Sequence, residues 1–143
     1  MMHARMNHPV MVVPDAMKPL QTLGELTKKS LSEKLVELVH LRASQINGCS
    51  ACVDMHPKIA KRIGETDERL FSVAAWRDTP YFTEGERAAL ALTEALTRIC
   101  DRPDPVSDEI WHEADKHFDE AELAALILAI ANINVWNRLN IAV

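Results

Sequence analysis

Two cysteines three residues apart, with a histidine four residues beyond the second, form the part of this chain whose spacing most directly suggests chemistry. The stretch INGCSACVDMH holds Cys49, Cys52 and His56. On a helix turning about 100° per residue, the three side chains fall within about 60° of one another. His56 lies one turn from Cys52, close enough to take its proton directly or through one water. Cys49 sits near a helix entrance, where unpaired amides and the positive end of the helix dipole favour a thiolate. Such a pair can act as a structural disulfide, a metal clip or a redox catalyst. A zinc site would have Cys49, Cys52 and His56 as ligands. No second cysteine or histidine pair is spaced to complete a tetrahedron, so neither a metal nor a cofactor is expected.

Glu37 stands twelve residues before Cys49 on the preceding helical segment. There Leu35, Val39, Ala43 and Ile46 make the apolar stripe and Glu37 projects from the other side, as a surface carboxylate would. It joins the cysteines only if the Asn47-Gly48 turn folds the CxxC helix back beside it. His40 shares its side and reads as a surface histidine, with support of the site from behind Glu37 as the alternative. Arg42 falls on the apolar arc, where its stem would lie along the surface with the guanidinium in water; the alternative is a buried partner for a glutamate or a carboxy-bearing substrate. Cys100 reads as a buried helix-end residue. Trp76 and Trp111 read as core or subunit contacts, and His112 and His117 as solvated.

The elements that must position these residues are helices. One is expected over about 19–29. A Ser30/Glu33 capping box would open a second, running to about Ile46. Asn47-Gly48 suits its left-handed exit. The CxxC helix should run from near Cys49 to Gly64. Thr66 caps a short helix through Trp76. A Thr83/Glu86 capping box opens a helix to about Ile99, and the prolines of CDRPDPVS end it. Ser107 caps a helix to about Phe118, and Asp119 with Glu122 opens a last one to about Asn140. No βαβ pattern or repeat is visible, so the fold class is all-α. The last helix, EAELAALILAIANINVWNRLN, is apolar on nearly every face and should be covered all round, which subunit contacts would help achieve.

At 143 residues and 48% hydrophobic composition, the chain is expected to form one domain with a real core. Its net charge of -5, with no basic stripe, argues against nucleic-acid binding. The longest apolar run, 123–136, is broken by Asn132 and Asn134 and is too short to span a bilayer. Three cysteines, an odd count, and no apolar signal-peptide core in MMHARMNHPVMVVP point to a reducing cytoplasm, where a persistent structural disulfide is unfavourable.

The segment LVELVHLRASQINGCSACVDMHPKIAKRIGE resembles the signature of the alkylhydroperoxidase D-like (AhpD-like) proteins, within the carboxymuconolactone decarboxylase superfamily. The likeness continues through RLFSVAAWRDTPYFTEGERAALALTEALT and the terminal NINVWNRLNIA. It implies a helical bundle assembled as a homotrimer or homohexamer, with dithiol peroxidase activity at Glu37, Cys49, Cys52 and His56. Carried over, Cys52 attacks the hydroperoxide, Cys49 closes the disulfide, and Glu37 with His56 relays protons through a water. The helix-entrance argument favours Cys49 as the more acidic thiol; the resemblance, and His56 one turn from it, favour Cys52. An external dithiol, of lipoyl type in some members, would regenerate the pair. The chain departs from the best-known peroxidases of the group at Ala51, where they carry a second histidine, and the resemblance suggests a smaller single-repeat subunit. Trp136-Asn137-Arg138 matches the closing motif and is expected to pack and to cap carbonyls. Two rivals stand beside the peroxidase. In a decarboxylating or lactone-opening enzyme, Glu37 and His56 act without the thiols. In a thiol redox sensor, the pair is oxidised without turnover.

Overall fold

A computed structural model describes residues 3–143, so the first two residues of the N-terminal stretch lie outside it. Eight α-helices follow one another: α1 Pro9–Val12, α2 Met17–Thr27, α3 Glu33–Asn47, α4 Ser50–Arg62, α5 Asp67–Ser72, α6 Glu84–Thr97, α7 Asp108–His117 and α8 Glu120–Ala142. Three 3₁₀ turns link them, at Pro14–Ala16, Val73–Asp78 and Ile99–Asp101. There is no strand among the described residues, and no helix is long and apolar enough to cross a membrane.

Local side-chain chemistry sets most of the boundaries. Thr83 with Glu86 and Asp119 with Glu122 form both expected capping boxes, each side chain bonded to the other residue's amide. Ser107 and Thr66 cap α7 and α5. The α3 cap differs from expectation. Ser32, not Ser30, accepts from the Leu35 amide at 3.3 Å. Ser30 is taken up by the turn that closes α2, its amide donating to the Thr27 carbonyl at 3.4 Å. The segment through Trp76 is also not one helix, because Ala75 leaves helical geometry at φ -115° and the chain tightens to 3₁₀ after Ser72.

Within one chain, the helix most fully enclosed is α3. Nine of its residues between Leu35 and Ser44 are buried. Val36 and Val39 pack with Leu92, Leu126 and Ile130, while Leu38 and Leu41 pack with Leu90, Val73 and Trp76. Each such side chain contributes about 1.5–3 kcal/mol by leaving water. By contrast α8 exposes a stripe at helical spacing: Ala124, Leu128, Ala131 and Val135. Its other face is fixed by amides rather than aliphatic contact alone. Asn47 Nδ2 donates to Asn134 Oδ1 at 2.9 Å and to Asn137 Oδ1 at 2.8 Å, and Asn137 Nδ2 donates to Ser44 Oγ at 3.0 Å. Arg138 donates to the Asn134 carbonyl at 2.9 Å, one turn back within α8 rather than at the helix end where the closing motif was expected to cap.

Candidate active site

Gly48 makes the turn that brings α4 back along α3. Its φ of +73° is the left-handed value that a side chain resists, and its amide bonds the Ser44 carbonyl at 2.9 Å. The returning α4 covers Glu37, which is 2% exposed. The surface-carboxylate reading therefore fails, and the fold-back alternative holds. Glu37 Oε2 accepts a hydrogen bond from His56 Nδ1 at 2.7 Å, and Lys28, at the C-cap of α2, reaches Oε1 at 3.4 Å. Burial pushes the Glu37 carboxyl up, but the His56 hydrogen bond and the neighbouring positive charges more than offset it, leaving the pKa below the usual glutamate range. An ionised carboxylate can only accept, so the hydrogen of His56 lies on Nδ1 and its Nε2 is left for a second partner.

His40 is buried too, contrary to the surface reading, and its ring meets that of His56 edge-on at 5.0 Å. Burial, then the neighbouring His56, pushes its pKa down to about 3, so it is neutral at ordinary pH.

The sulfur pair completes the arrangement. Cys49 and Cys52 are joined as a disulfide, with Cα atoms 5.3 Å apart and both residues 1% exposed. Cys49 is the N-cap of α4, its sulfur accepting from the Cys52 amide at 3.4 Å. Asn140 Nδ2 lies 3.4 Å from Cys52 Sγ. Cys52, His56, Glu37 and His40 all line a cavity of about 690 Å³ between α2, α3, α4 and α8, and Cys49 does not. Leu20, Met55, Ile59, Ile133 and Trp136 give it an apolar wall. Ala51 is exposed. Four buried side-chain polar atoms among the described residues have no partner. Three of them, His40 Nε2, His56 Nε2 and Asn132 Oδ1, belong to residues of this cavity.

Sequence spacing did not single out Lys28 or Asn140, because both come from helices distant in sequence from the CxxC motif. It also misplaced Cys100, which is exposed on the 3₁₀ turn, its thiol donating to Asp101 at 3.3 Å. For Arg42 the glutamate-partner alternative holds: it pairs with Glu94 at 2.7 Å. Trp76 is core, Trp111 is 39% exposed, and His112 and His117 are exposed as expected.

Residues 14–95 match the model of the carboxymuconolactone decarboxylase family. The uncharacterised protein YdfG of Bacillus subtilis is 38% identical over 132 residues, spanning 92% of this chain and 88% of that one. The uncharacterised protein YnjA of Escherichia coli is 34% identical over 119 residues, 82% of this chain and 63% of YnjA. Among solved structures, a protein of unknown function from Agrobacterium tumefaciens, suggested to be the antioxidant defence protein AhpD, superposes with a TM-score of 0.89 at 34% identity, covering 97% of this chain and 94% of that one. The debrominase Bmp8 shares the fold, with a TM-score of 0.81 at 21% identity over 93% of this chain and 71% of its own. The Glu37–His56 couple beside a CxxC pair thus sits on a shared helical scaffold, and this chain belongs to the carboxymuconolactone decarboxylase family, among its AhpD-like members.

Proposed function

We propose that this protein is a dithiol peroxidase that reduces organic hydroperoxides. One observation carries the reading: of the two cysteines, only Cys52 lines the cavity that also holds the buried Glu37–His56 couple. In the reduced form, Nε2 of His56 takes the Cys52 proton, directly or through a water, and Glu37 stabilises the imidazolium through Nδ1. The thiolate attacks the terminal oxygen of the hydroperoxide and the O–O bond breaks. The alkoxide leaves with the proton from His56 as an alcohol, and Cys52 becomes a sulfenic acid. The Cys49 thiol attacks that sulfur; the S–S bond forms and the hydroxyl departs with the Cys49 proton as water. An external dithiol returns the pair to thiols. Asn140 Nδ2, beside Cys52 Sγ, supplies a donor to the thiolate. The apolar wall suits a substrate with a hydrocarbon body. The likeness to the suggested AhpD of Agrobacterium tumefaciens supports the same assignment.

Hydroperoxide consumption with excess dithiol tests the mechanism. Cys52→Ser should remove turnover, and Cys49→Ser should allow at most one equivalent per subunit. Turnover undiminished in Cys52→Ser would reject the peroxidase and leave the acid–base couple to decarboxylation or lactone opening. We further propose that α8 pairs with other copies of the chain through Ala124, Leu128, Ala131 and Val135. Light scattering should give a trimer or hexamer, which Val135→Asp disrupts. The place of action proposed is the cytoplasm, where such a pair would be kept reduced.

A further inference from the structure

The Glu37-Leu38-Val39-His40 stretch puts a carboxylate and an imidazole one helical turn apart on α3, the spacing by which helical bundles direct a Glu and a His at one metal ion. His56 faces them from α4. One ligand atom from each of the three residues lies within 4.8 Å of the others. In a site with metal–ligand bonds of about 2.1 Å, neighbouring donors stand roughly 3–3.5 Å apart, so side-chain rotation must close the remainder. A second observation points the same way. His40 Nε2 and His56 Nε2 are buried, without partners, on residues that line the cavity. His40 is 8% and His56 5% exposed, so water outside does not satisfy them. His56 Nδ1 is committed to Glu37, whereas His40 Nε2 has no partner at all. A buried imidazole nitrogen without a partner calls for a hydrogen bond or a cation.

We propose that Glu37, His40 and His56 form a binding site for a divalent transition-metal ion. Two imidazoles and one carboxylate select ions of the zinc, cobalt(II), nickel(II) or iron(II) class over magnesium or calcium, which prefer all-oxygen sets. The three ligands come from one side, so the coordination positions facing the cavity stay open to water or to a substrate oxygen. The ion takes the place of the hydrogen that His56 Nδ1 now shares with Glu37 Oε2, and His40 completes the set through Nε2. Lys28, which now pairs with Oε1, has a side chain 32% exposed and can turn to solvent. This set shares only His56 with the cysteine-centred zinc site that sequence spacing brings to mind. It does not depend on the peroxidase reading.

The test uses the full chain in its oxidised form, in which the disulfide removes both sulfurs as ligands and peroxide turnover is absent. Cobalt(II) is titrated in by calorimetry and by its visible absorption, and zinc by competition. One ion per chain should bind with nitrogen and oxygen ligation and no thiolate charge-transfer band. Because loss of a mere outer-shell partner costs about 10–100-fold in affinity, His40→Ala should weaken binding by at least about 100-fold. His40→Gln, which keeps a polar side chain of similar reach, serves if the alanine variant unfolds, and zinc should raise the melting temperature of the parent but not of this variant. No saturable binding below about 1 mM, or affinity indifferent to both substitutions, would overturn the site.

Discussion

Glu37 and Glu94 are both glutamates on packed helices whose carboxyls are held below the usual range, and they are built in opposite ways. Glu94 is saturated. Arg42 bonds Oε1 at 2.7 Å, Trp76 Nε1 joins it at 2.9 Å, and Arg77 takes Oε2 at 2.5 Å. These donors tie α3 and the 3₁₀ turn to α6. Glu37 has a histidine and one distant lysine, and around it two imidazole nitrogens are left without partners beside a cavity. A carboxylate whose neighbours spend all their donors is architecture. One whose neighbours keep bonding capacity in reserve can move protons or hold a ligand.

The largest expected contrast is in rate. Glu37→Gln should lower kcat/KM for a hydroperoxide by about 10²–10⁴-fold, the usual contribution of acid–base assistance, while Glu94→Gln changes it by less than about threefold. Equal losses in initial-rate measurements would erase the distinction. Next comes stability. Glu94→Ala strands Arg42, whose side chain is only 13% exposed, and should cost about 3 kcal/mol in urea unfolding. Acid separates the two regions further. His40 takes up a proton in the unfolded chain near pH 6.5 but in the folded chain only near pH 3, so the unfolded state binds more protons between these values and stability falls as pH drops through them. Its charged and titratable neighbours Glu37, His56 and Lys28 come from α3, α4 and the C-cap of α2. Glu37 and Glu94, with depressed values, lose their stabilisation only as pH falls below the ordinary glutamate range near 4.5. With chelator present, the His40 contribution should cost roughly 1.5 kcal/mol between pH 6.5 and 5, and His40→Leu should remove that slope. Parallel pH profiles for parent and variant would refute the burial argument. The smallest effect belongs to Arg77→Ala. That side chain is 59% exposed, so its pair with Glu94 should be worth less than about 1 kcal/mol by the same unfolding measurement.

What the sequence made legible follows from the range of the forces involved. Capping at Thr83 and Asp119 is decided within four residues, so spacing reveals it. The same rule chose Ser30 over Ser32, because the competing claim on Ser30 comes from the end of α2. Helical periodicity marks which side of α3 is apolar. It does not register that the polar side, with Glu37 and His40, is roofed by α4, nor that Arg42 finds Glu94 52 residues away. The cysteine pair and His56 were visible because they lie on one helix, and Glu37 was tied to them only by the family resemblance. Asn140 and Lys28 carry no local signal at all. The all-round apolar character of α8 suggested cover completed by subunit contacts; within one chain a stripe of it stays exposed and α3, which carries charges, takes the centre.

The tight return at Gly48 has a consequence for how this chain can vary. Glu37 and Cys52 are measured off from one glycine in opposite directions, so the hairpin behaves as a ruler with its zero at residue 48. Inserting or deleting a single residue on either arm would rotate everything beyond it by about 100° and slide it by about 1.5 Å, swinging the carboxylate or the sulfur out of register. Between these two marks the spacing admits no change.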